Sequence, residues 1–129
     1  MPSKPAAPRK KRGVAYDTVR ALALQLPGVA EGTSYGTPAL KVAGKLFIRL
    51  KEDGETIVLR TDSLEREHLT RTAPKTFFVT DHYRDHPWIL VRLTSITRAQ
   101  LAPLVEDAWR RTAPKRMLVT YDSGRETKQ

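Results

Sequence analysis

The run Lys45-Leu46-Phe47-Ile48-Arg49-Leu50-Lys51-Glu52-Asp53-Gly54-Glu55-Thr56-Ile57-Val58-Leu59-Arg60 decides the fold of this chain. Two apolar segments flank Asp53-Gly54, a dipeptide that tolerates the positive φ of a tight hairpin turn. With Glu52 facing Glu55, Leu50 meets Ile57 and Ile48 meets Leu59 on one face. Arg49 then meets Val58, and Phe47 meets Arg60, on the other. A slip of one residue would mix the aliphatic set with the charged one, so the register is well specified.

Working outward, Pro38–Val42 reads as a preceding strand. Matching Val42 to Leu46 and Leu40 to Ile48 calls for a three-residue loop, Ala43-Gly44-Lys45. Before it, Val19, Leu22, Ala23 and Leu26 repeat at helical spacing, which predicts a helix near Asp17–Leu26, capped by Asp17 and stopped by Pro27-Gly28. The stretch from there to Thr37, with Gly32 and Gly36, reads as a loop. Downstream, Asp62-Ser63-Leu64-Glu65 is a capping box for a helix to about Thr72. Strands follow near Thr76–Thr80 and Trp88–Leu93. Thr97-Arg98-Ala99-Gln100 is a second capping box, opening a helix with the stripe Leu101, Leu104, Val105, Ala108 and Trp109. Pro103 within it calls for a later start or a bend. The order α-β-β-β-α-β-β-α predicts an α+β fold: a single antiparallel sheet with helices on one face.

The chain has 129 residues, enough for one domain with a core of its own. The expected division is a disordered basic tail over 1–13, one domain over 14–121, and a frayed end over 122–129. Without cysteine there is no disulfide, thiolate metal site or cysteine nucleophile, and a reducing, cytoplasmic setting suits the chain. No apolar run is long enough for a membrane span. Lys+Arg total 23 against 14 Asp+Glu, a net charge of +9. The tail supplies Lys4, Arg9, Lys10, Lys11 and Arg12 without an acid, and reads either as a phosphate-tracking arm or as a solubilising extension.

The second sheet face collects Lys41, Phe47, Arg49, Val58, Arg60, Trp88, Leu90 and Arg92. Cations mixed with flat rings are what a nucleic acid needs, Arg and Lys for phosphate and rings for base stacking. The plainer alternative is a second small core of Val58, Trp88 and Leu90 under snorkelling Arg stems.

Several strings in order carry a resemblance: Leu26-Pro27-Gly28-Val29 with Glu31; Ser34-Tyr35-Gly36 before Pro38-Ala39-Leu40-Lys41-Val42; Gly44-Lys45-Leu46-Phe47; and Pro87-Trp88-Ile89-Leu90-Val91-Arg92-Leu93. Over roughly Tyr16 to Met117 the chain resembles the MmcQ/YjbR family, small bacterial proteins described as DNA-binding. The resemblance implies an α-β(3)-α-β(2)-α fold and a double-wing mode in which β-hairpin turns approach a duplex. The turns concerned are Ala43–Lys45 and Lys51–Glu55. Glu52, Asp53 and Glu55 make the second acidic, so Lys41 and Lys45 favour the first.

Asp81-His82-Tyr83-Arg84-Asp85-His86 is the one cluster of acids with imidazoles. His82 and His86 are weak metal candidates, and a polar strand connection accounts for them equally. No nucleophile elbow or glycine-rich phosphate loop occurs. Arg71-Thr72-Ala73-Pro74-Lys75 recurs as Arg111-Thr112-Ala113-Pro114-Lys115, where bases and a proline suit a helix end.

The expectation is a non-enzymatic, DNA- rather than RNA-binding domain without cofactor. Lys41, Lys45, Arg49, Arg60 and Arg92 would meet phosphate, Phe47 and Trp88 would stack, and Arg9, Lys10, Lys11 and Arg12 would add an arm. Two alternatives stay open: a peptide-binding module on the same open face, and an enzyme or small-ligand site around Glu31–Gly36 and His82–His86.

Overall fold

A computed structural model describes residues 13–127, with side chains to Gly124. Six strands form one antiparallel sheet: β1 (Val29–Ser34), β2 (Thr37–Val42), β3 (Lys45–Leu50), β4 (Thr56–Arg60), β5 (Phe77–Phe78) and β6 (Trp88–Arg92), in spatial order β1-β2-β3-β4-β6-β5. Four helices accompany it: α1 (Tyr16–Leu24), α2 (Ser63–Thr72), α3 (Arg98–Thr112) and α4 (Lys115–Thr127). The α+β class and the single antiparallel sheet match the expectation.

The register of β3 on β4 is the one Asp53-Gly54 dictates: Ile48 opposes Leu59, Arg49 opposes Val58 and Leu50 opposes Ile57. Asp53 holds the turn as an acceptor. Its Oδ1 takes the N–H groups of Glu55 (2.8 Å) and Thr56 (2.9 Å), and its Oδ2 takes the Thr56 hydroxyl. Burial pulls the Asp53 carboxyl upward in pKa, but these hydrogen bonds prevail and hold it below the ordinary value.

The preceding hairpin departs from the expectation. Leu40 does face Ile48, but nearer the turn the partners shift to Lys41–Leu46 and Val42–Lys45. The loop is therefore two residues, Ala43 and Gly44, both at positive φ (52° and 78°), as a tight hairpin requires. A bulge at Phe47 absorbs the odd residue.

Leu40, Val42, Ile48, Ile57, Leu59, Ile89 and Val91 form one sheet face, and α1 and α3 close over it. From α1 come Val19, Leu22 and Ala23; from α3, Leu101, Val105, Ala108 and Trp109. Trp109, fully buried, donates its indole N–H to the carbonyl of Pro27 at 2.9 Å and meets the edge of Tyr121 at 5.0 Å. It ties α1's exit, α3 and α4 into one core. Asp62 and Thr97 cap α2 and α3, and the Thr97–Gln100 box is reciprocal. Pro103 does not interrupt α3; it sits at an exposed position on the solvent side of the helix. Both Arg-Thr-Ala-Pro-Lys copies end a helix, with Ala73 and Ala113 as C-caps.

Three further expectations need correction. The stretch Val29–Ser34 is an edge strand, not a loop; its polar, exposed side chains carry no alternation, and its backbone is fixed by pairing with β2. Asp17 lies in the first turn of α1, while Ala15 is the N-cap. The end is helical through Thr127 instead of frayed from residue 122: Met117, Leu118 and Tyr121 of α4 pack on the core, and Asp122 pairs with Arg110 at 2.7 Å. Gly28, at φ +72°, makes room for α4; a Cβ there would lie 2.7 Å from Met117 Cε.

Candidate functional site

The sheet face opposite the helices is built on one transverse row. Ala39, Arg49, Val58, Leu90 and Phe78 are register partners across β2, β3, β4, β6 and β5. Ala39, Val58 and Leu90 are buried yet lie outside the helix-covered core. Their cover comes from long side chains on the same face. Arg60 and Trp88 pair in the row on one side, and Arg92 opposes Thr56 in the row on the other.

Each arginine of this face lies over a ring. Arg49 sits 5.0 Å from the Tyr35 centroid, Arg60 5.7 Å from Trp88, and Arg92 4.0 Å from Phe78. Such contacts contribute about 0.5–1 kcal/mol where exposed. Arg92 also donates to the carbonyls of Pro74 and Lys75, at 3.3 and 3.1 Å. Arg60 has no carboxylate partner among the described residues. Lys41 runs along Gly32 on the same face, its Cε 3.9 Å from where a Cβ would stand. Lys45 is exposed beside the Ala43-Gly44 turn.

Of two further expected site residues, one lies on the other face and one is enclosed. Phe47 is fully buried in the helix-covered core, because the bulge turns it to the same side as Ile48. It offers no stacking surface. Arg49 is on the expected face but only 4% exposed. Its Nε donates to Ser34 O at 3.3 Å and its Nη2 to Glu52 at 2.8 Å, while Nη1 is buried without a partner. A guanidinium so enclosed, with its charge answered by Glu52, is not presented to phosphate. Lys41, Arg60, Trp88 and Arg92 are brought together; Arg9, Lys10, Lys11 and Arg12 lie outside the described residues.

The structure adds two rings that the alternation pattern missed. Phe78 reaches the face from β5. Tyr35, 77% exposed at the tip of the β1–β2 hairpin, lies on Arg49. A signal for Tyr35 was in the sequence: it precedes Gly36, and the pair adopts the positive φ values of a two-residue turn (54° and 80°).

The other acids near candidate sites are engaged locally. Glu31 is held below its ordinary pKa by a two-pronged bond from Arg20, at 2.8 and 2.9 Å. The Tyr16 phenol is pushed up to about 12, chiefly by burial and further by Glu31. Arg84 bonds Asp81 and lowers its pKa. Among the described residues no group of three His, Cys, Asp or Glu side chains is placed to hold a metal ion, so His82 and His86 are not joined by further ligands.

This sheet and helix arrangement is that of a known family: the YjbR family model matches residues 24–111, and the chain belongs to that family. A solved structure with the same fold is protein DR2400 of Deinococcus radiodurans, domain DUF419. It is 18% identical, with a TM-score of 0.65 over 79% of this chain and 80% of that one. No curated protein matches the sequence. Among the described residues no helix is long and apolar enough to cross a membrane.

Proposed function

We propose that this chain is a non-enzymatic, cytoplasmic nucleic-acid-binding domain, with DNA preferred, that lays its partner across the helix-free sheet face. One observation carries the reading: Arg60 on Trp88 and Arg92 on Phe78 alternate charge and ring across three neighbouring strands, β4, β6 and β5, with Lys41 further along the same face. Arg and Lys neutralise phosphates, and half-buried rings accept stacked bases regardless of sequence. The basic arm at Arg9, Lys10, Lys11 and Arg12 adds phosphate contacts. Among the described residues this face is built of strands, and stacking on rings gives weak sequence preference.

The two tryptophans provide a direct test. Trp109 is fully buried and Trp88 is half-buried on the face. Titration with a short single strand quenches the emission of the wild type, and Trp88→Leu removes the quenching together with about 1–3 kcal/mol of binding. Quenching that survives in Trp88→Leu, or a strand that does not bind at low salt, refutes the reading.

A further inference from the structure

Where β4 leaves the sheet, a cavity of about 610 Å³ opens between the first turn of α2 and the Arg84–Pro87 segment. Its wall includes Arg60, Ser63, Arg66, Arg84, His86 and Arg111. Asp62 and Asp85 are its carboxylates, so four guanidinium groups face two acids.

The pairing within the wall leaves charge over. Asp62 is occupied twice, by the Glu65 N–H at 2.8 Å and by Arg111 at 3.2 Å. Arg84 is held by Asp81. Arg66 donates to four carbonyls, of His86 (2.7 Å), Arg84 (2.8 Å), Trp88 (3.1 Å) and Tyr83 (3.3 Å). Carbonyl dipoles satisfy its N–H groups but do not cancel its charge. Arg60 rests on the Trp88 ring with no described acid beside it. Arg60 and Arg66 are thus the wall's two guanidinium groups without a bonded carboxylate among the described residues; Arg111 is further held by Glu65 at 3.2 Å, and Asp85, in the same wall beside an exposed imidazole, offsets one charge. The volume is in the range of small-molecule sites. Guanidinium forks match the oxygens of phosphate as they do those of carboxylate.

We propose that this cavity binds a phosphomonoester, the dianionic group of a nucleoside monophosphate or of a strand's 5′ end. Four guanidinium groups against two wall carboxylates favour an anion over a neutral ligand, and Trp88, which Arg60 covers, follows His86 and Pro87 of the wall in sequence. The site shares Arg60 with the sheet face and goes beyond that reading at Ser63, Arg66 and His86, which the face does not use, so its test turns on those positions.

The test uses the full chain with AMP, adenosine and inorganic phosphate as probes, followed by calorimetry and by amide shifts at Ser63 and His86. AMP and phosphate bind and shift those amides; adenosine does not. Ser63→Glu places a carboxylate in the cavity at an exposed first-turn position that tolerates acids. It weakens AMP binding at least about tenfold, the effect of losing one charge-assisted contact, while Arg98→Gln, at an exposed position at the start of α3 outside the cavity wall and the sheet face, leaves it unchanged. A 5′-phosphorylated strand that binds about tenfold better than its 5′-hydroxyl twin assigns the site to strand ends. Equal affinity of the two strands, with AMP still bound, assigns it to free nucleotides. AMP no better than adenosine, or Ser63→Glu binding AMP as the wild type does, overturns the proposal.

Discussion

Salt dependence offers a count of the cations that meet phosphate. Five basic side chains of the domain qualify by sequence: Lys41, Lys45, Arg49, Arg60 and Arg92. The structure removes Arg49, which is 4% exposed and paired with Glu52, and leaves four. Each neutralised phosphate contributes about −0.9 to the log–log salt slope on duplex DNA and about −0.7 on single strands. The face therefore contributes about −3.6 or −2.8 in addition to the arm's share, an affinity loss of about 50- to 150-fold between 50 and 200 mM salt. Arg60→Gln or Arg92→Gln makes the slope shallower by about 0.7–0.9, so the affinity lost over that range is about threefold smaller. The control is the double variant Arg49→Met/Glu52→Gln. It removes a neutral pair, keeps net charge constant, and leaves the slope at its wild-type value. Because slopes are compared between full-length variants, the contribution of Arg9, Lys10, Lys11 and Arg12 cancels. Fluorescence anisotropy at four salt concentrations measures it. Equal slopes for Arg60→Gln, Arg92→Gln and wild type would refute the phosphate-contact assignment. A fall in the double variant as large as theirs would refute the exclusion of Arg49. Affinity almost independent of salt would favour a peptide partner on the same face.

Stability predictions test the packing that holds this face in place. Trp109→Phe removes the indole N–H bond to Pro27 and part of a fully buried ring, costing about 2–3 kcal/mol in urea unfolding; a change below a few tenths would remove Trp109 from its place as the tie between α1's exit and α3. Ala43→Gly relieves a side chain held at φ 52° and raises stability by about 1 kcal/mol; a loss of stability would contradict the two-residue turn. Asp53 and Asp62 are both held below the ordinary carboxyl pKa, Asp62 chiefly by the Glu65 N–H. A lowered folded-state pKa means that their contribution is complete above the unfolded value, about 3.9, and is lost as pH falls through the folded one. Thermal melts from pH 7 down to pH 2 show this acid loss, and Asp53→Asn or Asp62→Asn flattens the curve; wild-type acid sensitivity in both variants would show that these carboxylates are not its source.

Local chemistry made much of the fold legible. Asp53-Gly54 fixed the β3–β4 register residue by residue, and the Thr97–Gln100 box located the start of α3. Each signal was a short-range hydrogen-bonding pattern that tertiary structure had no reason to override. The edge strand β1 was illegible for the opposite reason. Nothing packs on most of its side chains, so no alternation is imposed, and its pairing with β2 together with the Arg20–Glu31 bridge is fixed by distant partners. For α4 a signal existed in Met117, Leu118 and Tyr121 behind Pro114. It was masked because the same proline also reads as a helix stop, and here it separates two helices.

The character of the open face turns on the bulge at Phe47. Strict alternation puts Phe47 outward beside Arg60, giving a face with one more ring and a continuous arginine row. The hairpin above cannot sustain that alternation. The Ala43-Gly44 turn sets one register at the tip and the Leu40–Ile48 contact sets another, differing by one residue. The chain resolves the difference at the residue that gains most from burial. Sending Phe47 inward removes a large apolar surface from water, worth about 2 kcal/mol or more, whereas bulging at Arg49 would drive a charge into the helix-covered core. The same step leaves no β3 ring beside Arg60, whose guanidinium rests instead on Trp88 of β6. Hydrophobic burial on one side of the sheet thus decides which cations the other side can offer to a phosphate.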